Sequence, residues 1–218
     1  KSGFLSPSIN LNFFNIGKIS QEISTPYYFN LSIDKELTFT PMIKYGAGVD
    51  SSQRFLFDYN QIISGGSFSY DLTFDSNFEK QNNNKWLSNA SLITNYNKNL
   101  NETYRVNVNS ALQTSKNYIQ LTNPNDDLSY TSSLSTNITL EGFNINKLDD
   151  RLKIYSSFYQ TNQNNDSNNT LPTVLPAMEY YTGNTIRGNY NTDGAYSFYN
   201  IFRDKGTDTL AQNQQKLS

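Results

Sequence analysis

The sequence predicts an all-β fold built from antiparallel strands. Three observations predict it: apolar residues recur at every second position, turns rich in Asn, Ser and Gly separate the alternating segments, and 14% of the residues are aromatic. Aromatic side chains suit a pleated surface, whereas Ser and Asn compete with the hydrogen bonds of a helix. The chain of 218 residues therefore favours strands over helices.

The alternation can be followed along most of the chain. The segment ELTFTPMIKY, for example, places its apolar residues on one face and most of its polar residues on the other. Each such segment predicts a half-buried strand. The predicted strands are 18–25, 36–45, 66–74, 86–96, 104–112, 134–140 and 151–160.

The connections suggest a barrel wall. Short turns such as 97–102 alternate with long polar loops such as 115–129 and 161–170, which we expect on the outer face. Trp86 and Tyr96 lie on one face of a strand, roughly 33 Å apart. At a tilt of about 40° this becomes roughly 25 Å along the membrane normal, the height of the apolar band between two aromatic girdles. On pattern alone, a soluble sandwich, a β-solenoid or a secreted adhesin also fits.

Charge and composition exclude several functions. The formal net charge is −2, and no basic excess is present that could neutralise the phosphates of a nucleic acid. The chain contains neither His nor Cys, so we expect no enzyme of the common nucleophile types, no metal site and no cofactor. Three carboxylate pairs are explained better as turn residues, and these are Asp126/Asp127, Asp149/Asp150 and Asp204/Asp208.

The membrane signal of this chain cannot come from a helix. No run of about 18 apolar residues is present, which excludes a transmembrane helix. Mean hydropathy is −0.65, yet a barrel wall needs apolar residues only at alternate positions. The first ten residues lack an initiator Met and the apolar region of a signal peptide, so we expect an excised piece of a longer protein.

Five local motifs carry a family resemblance. KSGFLSP at 1–7, TPYYFN at 25–30 and LTFTPMI at 37–43 are followed by LPTVLPAMEYY at 171–181 and FRDKGTD at 202–208. In this order they resemble the barrel domain of LptD, the outer-membrane lipopolysaccharide-assembly family, the last two its α-proteobacterial members. Two departures are visible. Phe29 stands where the family has Trp, and 209–218 lacks the expected Arg-containing strand start.

The resemblance implies a domain, a location and a function. Residues 1–218 would be the N-terminal portion of the barrel domain, about twelve strands of a larger transmembrane β-barrel, without the periplasmic jelly roll and the closing strands. The implied location is the cell outer membrane, and the implied function is the insertion of lipopolysaccharide into the outer leaflet through a lateral opening. The implied partners are lipopolysaccharide, an LptE-like lipoprotein and the periplasmic Lpt bridge proteins.

The resemblance also implies a lateral gate at Pro7 and Pro26, because the family's barrel opens between its first and last strands. The physical reason is independent of the family: a proline removes one N–H from a strand ladder, and no water replaces it in a bilayer. The alternative is that Pro26 marks a bulge or a strand end. Pro41 lies in the third strand, away from this seam.

The polar strand faces are expected to line a wet lumen. The lumen-facing candidates are Ser69, Asp71, Thr73, Asn107 and Asn109. Two other functions stay open beside lipopolysaccharide insertion, a porin-like outer-membrane channel and a soluble Asn-rich β adhesin or binding module. A soluble module should stay monomeric without detergent, whereas a channel should conduct ions without transporting lipopolysaccharide.

Overall fold

The structure is a computed structural model, and it confirms the all-β antiparallel prediction. It describes residues 1–15, 18–47, 51–77, 88–123, 126–163, 167–187, 190–203 and 212–217. Trp86, Asp204, Asp208 and 209–211 lie outside the described residues, so the girdle spacing from Trp86 to Tyr96 stays a prediction.

Strands account for most of the described chain. They are β1 (Gly3–Phe4), β2 (Ser8–Asn15), β3 (Lys18–Ser24), β4 (Tyr27–Ser32), β5 (Lys35–Ala47), β6 (Ser52–Ile63), β7 (Gly66–Asn77), β8 (Ser88–Asn99), β9 (Tyr104–Gln113), β10 (Ser133–Phe143), β11 (Arg151–Thr161), β12 (Thr173–Arg187), β13 (Tyr190–Arg203) and β14 (Gln212–Leu217). One short helix, α1 (Tyr118–Thr122), and two 3₁₀ helices (Asp127–Tyr130 and Asn168–Thr170) lie in the long loops. No helix in the described residues has the length and apolar character needed to cross a membrane.

All 14 strands of the described residues join one antiparallel sheet. From β4 onward each strand pairs with the next in sequence, while β1 pairs with β4, and β3 pairs with both β2 and β5. Since β1 and β2 follow one another along one row, as do β3 and β4, the sheet is twelve rows wide. Within the described residues the sheet is open, with β1 and β2 at one edge and β14 at the other.

One face of the sheet is apolar. Register partners in neighbouring strands carry their side chains on the same face. Phe39, Phe57 and Leu72 are partners in β5, β6 and β7, and Leu92 and Leu112 continue the row in β8 and β9. We call this side the apolar face.

Aromatic rings pack against one another across the apolar face. Tyr59 stacks on Tyr70 with ring centroids 5.1 Å apart, and Phe68 contacts both Tyr59 and Tyr96. Phe39 packs against Phe57 with tilted rings whose centroids are 4.9 Å apart. Such cross-strand pairs contribute about 0.2–1 kcal/mol each and fix the register of β5 to β8.

The opposite face is polar. Asn60, Ser69, Asn95, Asn109 and Asn137 are register partners from β6 to β10 and form a row of amides and one hydroxyl. We call this side the polar face. A one-residue slip of any strand would exchange the two faces, which is why the alternation read from the sequence specifies the register.

Long and short connections lie at opposite ends of the sheet. The connections 33–34, 64–65, 100–103 and 144–150 lie at one end, which we call the turn end. The long connections that follow Gln113 and Thr161 leave the sheet at the other end, the loop end, where β5 also ends at Ala47 and β7 at Asn77. The sequence predicts short turns near Gly46, Gln81 and Asn99, mixed between the two sides. Gly46 lies near the loop end and Asn99 at the turn end, and Gln81 lies outside the described residues.

Several features differ from the sequence-based expectations. The seven segments listed from the sequence correspond to β3, β5 and β7 to β11, and the other seven strands are not among them. The sequence does not predict strand β6, because Leu56 lies on the polar face between Phe55 and Phe57 and breaks the alternation. The long loop 115–129 is expected to be polar and irregular, yet α1 lies within it and buries Ile119 almost completely.

Candidate functional site

The first two rows of the sheet are both interrupted at the same height. β1 ends at Phe4 and β2 begins at Ser8, while β3 ends at Ser24 and β4 begins at Tyr27. Phe4 is the register partner of Tyr27, and Ser8 is the partner of Ser24. Three residues of the first row therefore face two of the second, which is the arrangement of a β-bulge.

Pro26 removes one hydrogen bond at this interruption. The Leu5 N–H donates to the Pro26 carbonyl oxygen at 2.9 Å. In a regular antiparallel pair the second residue returns a bond to the first. Pro26 has no N–H, so the pair keeps one bond of two. The alternative interpretation of Pro26, as a bulge or strand end, is therefore correct as local geometry, and it is compatible with a role in strand separation.

Pro41 produces the same defect on the next row. The Thr25 N–H donates to the Pro41 carbonyl oxygen at 3.2 Å, and Pro41 has no N–H to return. On its other side Pro41 is the register partner of Phe55, and β5 continues through it unbroken. The order of the strands in the sequence separates Pro41 from the seam, but the fold brings it opposite the residue before Pro26.

Pro7 lies in the first row, directly before β2, at the open edge of the sheet. Because Thr25 donates towards β5, the neighbouring Ser24 directs its backbone groups towards β2 and its partner Ser8. The Ser8 and Ser24 hydroxyls are 2.6 Å apart and close the ladder directly after the interruption.

Pro41 and Pro26 thus remove one hydrogen bond each from two successive seams, at one height. Pro41 acts between the third and second rows and Pro26 between the second and first, while Pro7 lies in the first row at the open edge. A typical backbone hydrogen bond contributes a net ~0.5–1.5 kcal/mol, and an unmade one costs more where no water is available. The first two rows can therefore separate at this height more easily than the continuous ladders of β5 to β9.

All five predicted lumen residues lie on the polar face. Ser69, Asp71 and Thr73 alternate along β7, and Asn107 and Asn109 along β9. Asn95 of β8 is the register partner of both Ser69 and Asn109, so the two groups are brought together at one height.

The polar face needs water at its centre. Asp71 is exposed and is the direct register partner of Asp58 in β6. Two carboxylates directly opposite each other are destabilising unless solvent screens them. Asn60 donates to the Asp58 carboxylate at 2.9 Å, which satisfies one oxygen but adds no positive charge.

The long loop after β9 folds over the loop end of the polar face. Ile119 of α1 packs against Ala111 and Ile93, which are register partners on this face. Tyr118 lies beside the ion pair of Arg54 and Asp75, whose Nη2 and Oδ2 atoms are 3.0 Å apart. Burial and, secondly, the Asp75 carboxylate raise the pKa of the Tyr118 phenol far above its usual value.

A buried amide pair joins the two long loops. The Gln113 Nε2 donates to the Asn162 Oδ1 at 3.0 Å, and the Gln113 Oε1 accepts from the Ile119 N–H at 3.0 Å. Asn162 in turn donates to the carbonyl oxygens of Leu128 and Thr131, both at 3.1 Å. We call this arrangement the loop clasp, and the sequence contains no local signal for it.

Two of the turn aspartates hold backbone groups as predicted. Asp126 accepts from the Leu128 N–H at 2.9 Å and caps a 3₁₀ helix. Asp150 accepts from the N–H groups of Lys147, at 3.0 Å, and of Gly183 in β12, at 2.7 Å. Within the described residues, no three His, Cys, Asp or Glu side chains come together in a way that could hold a metal ion.

The chain matches none of the protein-family models, and none of the curated proteins matches it. The resemblance to the LptD family therefore depends on the five sequence motifs alone.

Proposed function

We propose that this chain forms part of an outer-membrane barrel wall that inserts lipopolysaccharide into the outer leaflet through a lateral opening beside its first strand. The observation that carries the proposal is the alignment of Pro7, Pro26 and Pro41 at one height on three neighbouring rows. A wall built only to be stable gains nothing from three missing hydrogen-bond donors at its first seams.

The strand lengths and faces support a membrane wall. β6 to β11 contain 10 to 12 residues each, and about 9–11 tilted residues cross a bilayer core. Large apolar side chains stand exposed on the apolar face, among them Ile43 at 53% and Tyr196 at 58%. Contiguous exposed apolar surface of this kind indicates contact with lipid or with another protein.

The proposed reaction is transfer without covalent chemistry. The fatty-acid chains would leave through the weakened seam into lipid, while the polar sugars would stay on the wet polar face. The driving force and the supply of lipopolysaccharide would come from periplasmic Lpt bridge proteins, and an LptE-like lipoprotein would occupy the lumen. These partners follow from the family resemblance.

Photo-crosslinking in cells tests the proposal. A benzoylphenylalanine at Leu5, inside the interruption, should form an adduct with lipopolysaccharide. The matched control is Ile138 on the apolar face of β10, because Leu5 is 48% exposed and Ile138 is 46% exposed. Equal adducts at both positions would indicate contact with bulk membrane lipid and would contradict a path beside the first strand.

A porin-like channel is the second candidate. The facing carboxylates of Asp58 and Asp71 favour it, because they require water on the polar face. Planar-bilayer conductance of the intact protein, measured beside surface lipopolysaccharide, distinguishes the two functions. A channel conducts ions whether or not lipopolysaccharide reaches the surface.

A further inference from the structure

A row of alternating charges crosses the polar face near the turn end. Arg105 of β9 is the register partner of Glu141 in β10, which is the partner of Lys153 in β11. Lys153 is in turn the partner of Glu179 in β12, and Glu179 is the partner of Ser197 in β13. We call these five residues the charged row.

Opposite charges are neighbours in this row, yet the charged groups contact neutral side chains rather than one another. The Arg105 guanidinium lies 5.7 Å from the ring centre of Phe143, and its Nε donates to Asn99 at 3.0 Å. Glu141 accepts from the Asn107 amide at 3.0 Å. In the described part of the chain, neither Arg105 nor Lys153 is ion-paired with a glutamate of the row.

Tyr155 of β11 and Tyr199 of β13 contact the other two charged residues of the row. The Lys153 Nζ lies 4.9 Å from the ring centre of Tyr155. The Glu179 Oε1 accepts from the hydroxyls of Tyr155, at 3.3 Å, and of Tyr199, at 2.9 Å. The row therefore offers carboxylate acceptors, cationic donors and aromatic faces within reach of one another.

A cavity of about 500 Å³ opens along the row. Its lining includes Glu141, Phe143, Arg151, Lys153, Glu179 and Tyr199. Ligand sites in proteins typically enclose about 300–1,000 Å³, so the cavity has room for a ligand of several rings.

The mixture of groups selects one chemical class. A simple anion would meet two glutamates, a simple cation would meet Lys153 and Arg151, and an apolar ligand would strip water from all four charges. A ring-shaped ligand with many hydroxyl groups avoids these conflicts, because each hydroxyl can donate to a carboxylate and accept from a cation. Its C–H faces can pack on the aromatic rings. Such a ligand is a saccharide.

We propose that this cavity binds an oligosaccharide and is a sugar subsite on the polar face. Its identity as the oligosaccharide of lipopolysaccharide rests on the proposed function. The cavity lies at the turn end, away from the long loops. If the long loops are extracellular, the sugars meet this subsite on the periplasmic side, before they reach the loop end.

The test is a titration of the complete chain in detergent micelles with the acyl-free core oligosaccharide of lipopolysaccharide. Binding is followed by saturation-transfer NMR of the sugar protons. Tyr199→Phe and Glu141→Gln should each weaken binding by about three- to tenfold, the loss expected for one hydrogen bond. Tyr45→Phe is the matched control, since Tyr45 lies on the apolar face of β5, outside the cavity.

Three results would overturn the subsite: no saturable binding, an equal loss for Tyr199→Phe and Tyr45→Phe, or displacement of the sugar by inorganic phosphate. Lys153→Gln provides a second variant that should preserve the fold, because Lys153 is exposed. The titration involves neither insertion nor transport. A failed titration with intact lipopolysaccharide transport would therefore count only against the subsite. Saturable binding without transport would count only against the proposed function.

Discussion

The backbone N–H of Leu5 donates to the carbonyl oxygen of Pro26 at 2.9 Å, and Pro26 has no N–H to return the bond. The same one-sided pair occurs between Thr25 and Pro41 on the next row, at 3.2 Å. The two missing hydrogen bonds lie at one height on the two seams of the second row. They act together, because this row has fewer bonds to break there on either side when it separates from its neighbours. The edge of this sheet is therefore weakened locally while its remaining ladders stay continuous.

Pro41 should contribute to this weakness. Pro41→Ala restores an N–H that can donate to Thr25, and the bond should add ~0.5–1.5 kcal/mol to the free energy of unfolding. Pro172→Ala is the matched control, since Pro172 precedes β12 and faces no such partner in the ladder. Both substitutions raise the entropy of the unfolded chain, which costs about 0.4–1 kcal/mol, so their difference isolates the hydrogen bond. Urea unfolding in micelles measures it, and equal stabilities would mean that Pro41 lacks this role.

Asp150 should make the connection 144–150 sensitive to acid. The Gly183 N–H, then the Tyr180 hydroxyl and two loop N–H groups, lower the pKa of the Asp150 carboxyl, although burial opposes them. A lowered folded-state pKa contributes stability above the unfolded pKa, about 4, and this stability is lost as the pH falls through the folded-state pKa. Protection of the Gly183 N–H, measured relative to the intrinsic exchange rate at each pH, should therefore be high at pH 7 and fall below about pH 4.

Asp150→Asn should abolish most of this pH dependence and speed Gly183 exchange at pH 7. Asp149→Asn is the control, because Asp149 is exposed and its left-handed backbone, φ 67°, suits Asn equally well. Identical exchange in the two variants would show that the Asp150 carboxylate does not anchor the connection.

The loop clasp should control access to the loop end of the polar face. Gln113→Ala leaves the Asn162 amide and the Ile119 N–H without their buried partner, at about 1–3 kcal/mol for each unsatisfied group. We expect faster proteolysis within 114–132 and little change in the strands. Gln160→Ala tests the neighbouring amide, which bonds the Gln113 backbone at 2.7 Å. Unchanged proteolysis in Gln113→Ala would show that the clasp does not hold the loop.

The loop end should be extracellular. The chain contains no cysteine, so a single introduced thiol reports one position. A membrane-impermeant maleimide should label Asn169→Cys in intact cells and Glu102→Cys only after lysis, since these residues lie at opposite ends of the sheet. Asn125 and Asn165, the obvious loop positions in the sequence, lie outside the described residues. Labelling of Glu102→Cys alone would invert the topology.

The sequence predicts individual strands better than the relations between them. The alternation in β7 and β9 specifies which side chains share a face, so Ser69 and Asn109 can be assigned to one face from the sequence alone. It cannot show that Pro41 lies opposite Thr25, because this depends on where each hairpin turns and on the bulge at 5–7. The charged row is hidden for the same reason, since its members come from five strands.

The most direct test of the central claim is the double variant Pro7→Ala/Pro26→Ala in the intact protein in cells. Folded barrel is measured by heat-modifiable gel migration, and surface lipopolysaccharide is measured in the same cells. If the prolines weaken a lateral opening, each restored bond should strengthen it by ~0.5–1.5 kcal/mol or more in lipid. The folded barrel should then be as abundant as the unmodified protein, while less lipopolysaccharide reaches the surface per barrel. Normal transport per folded barrel would contradict the gate.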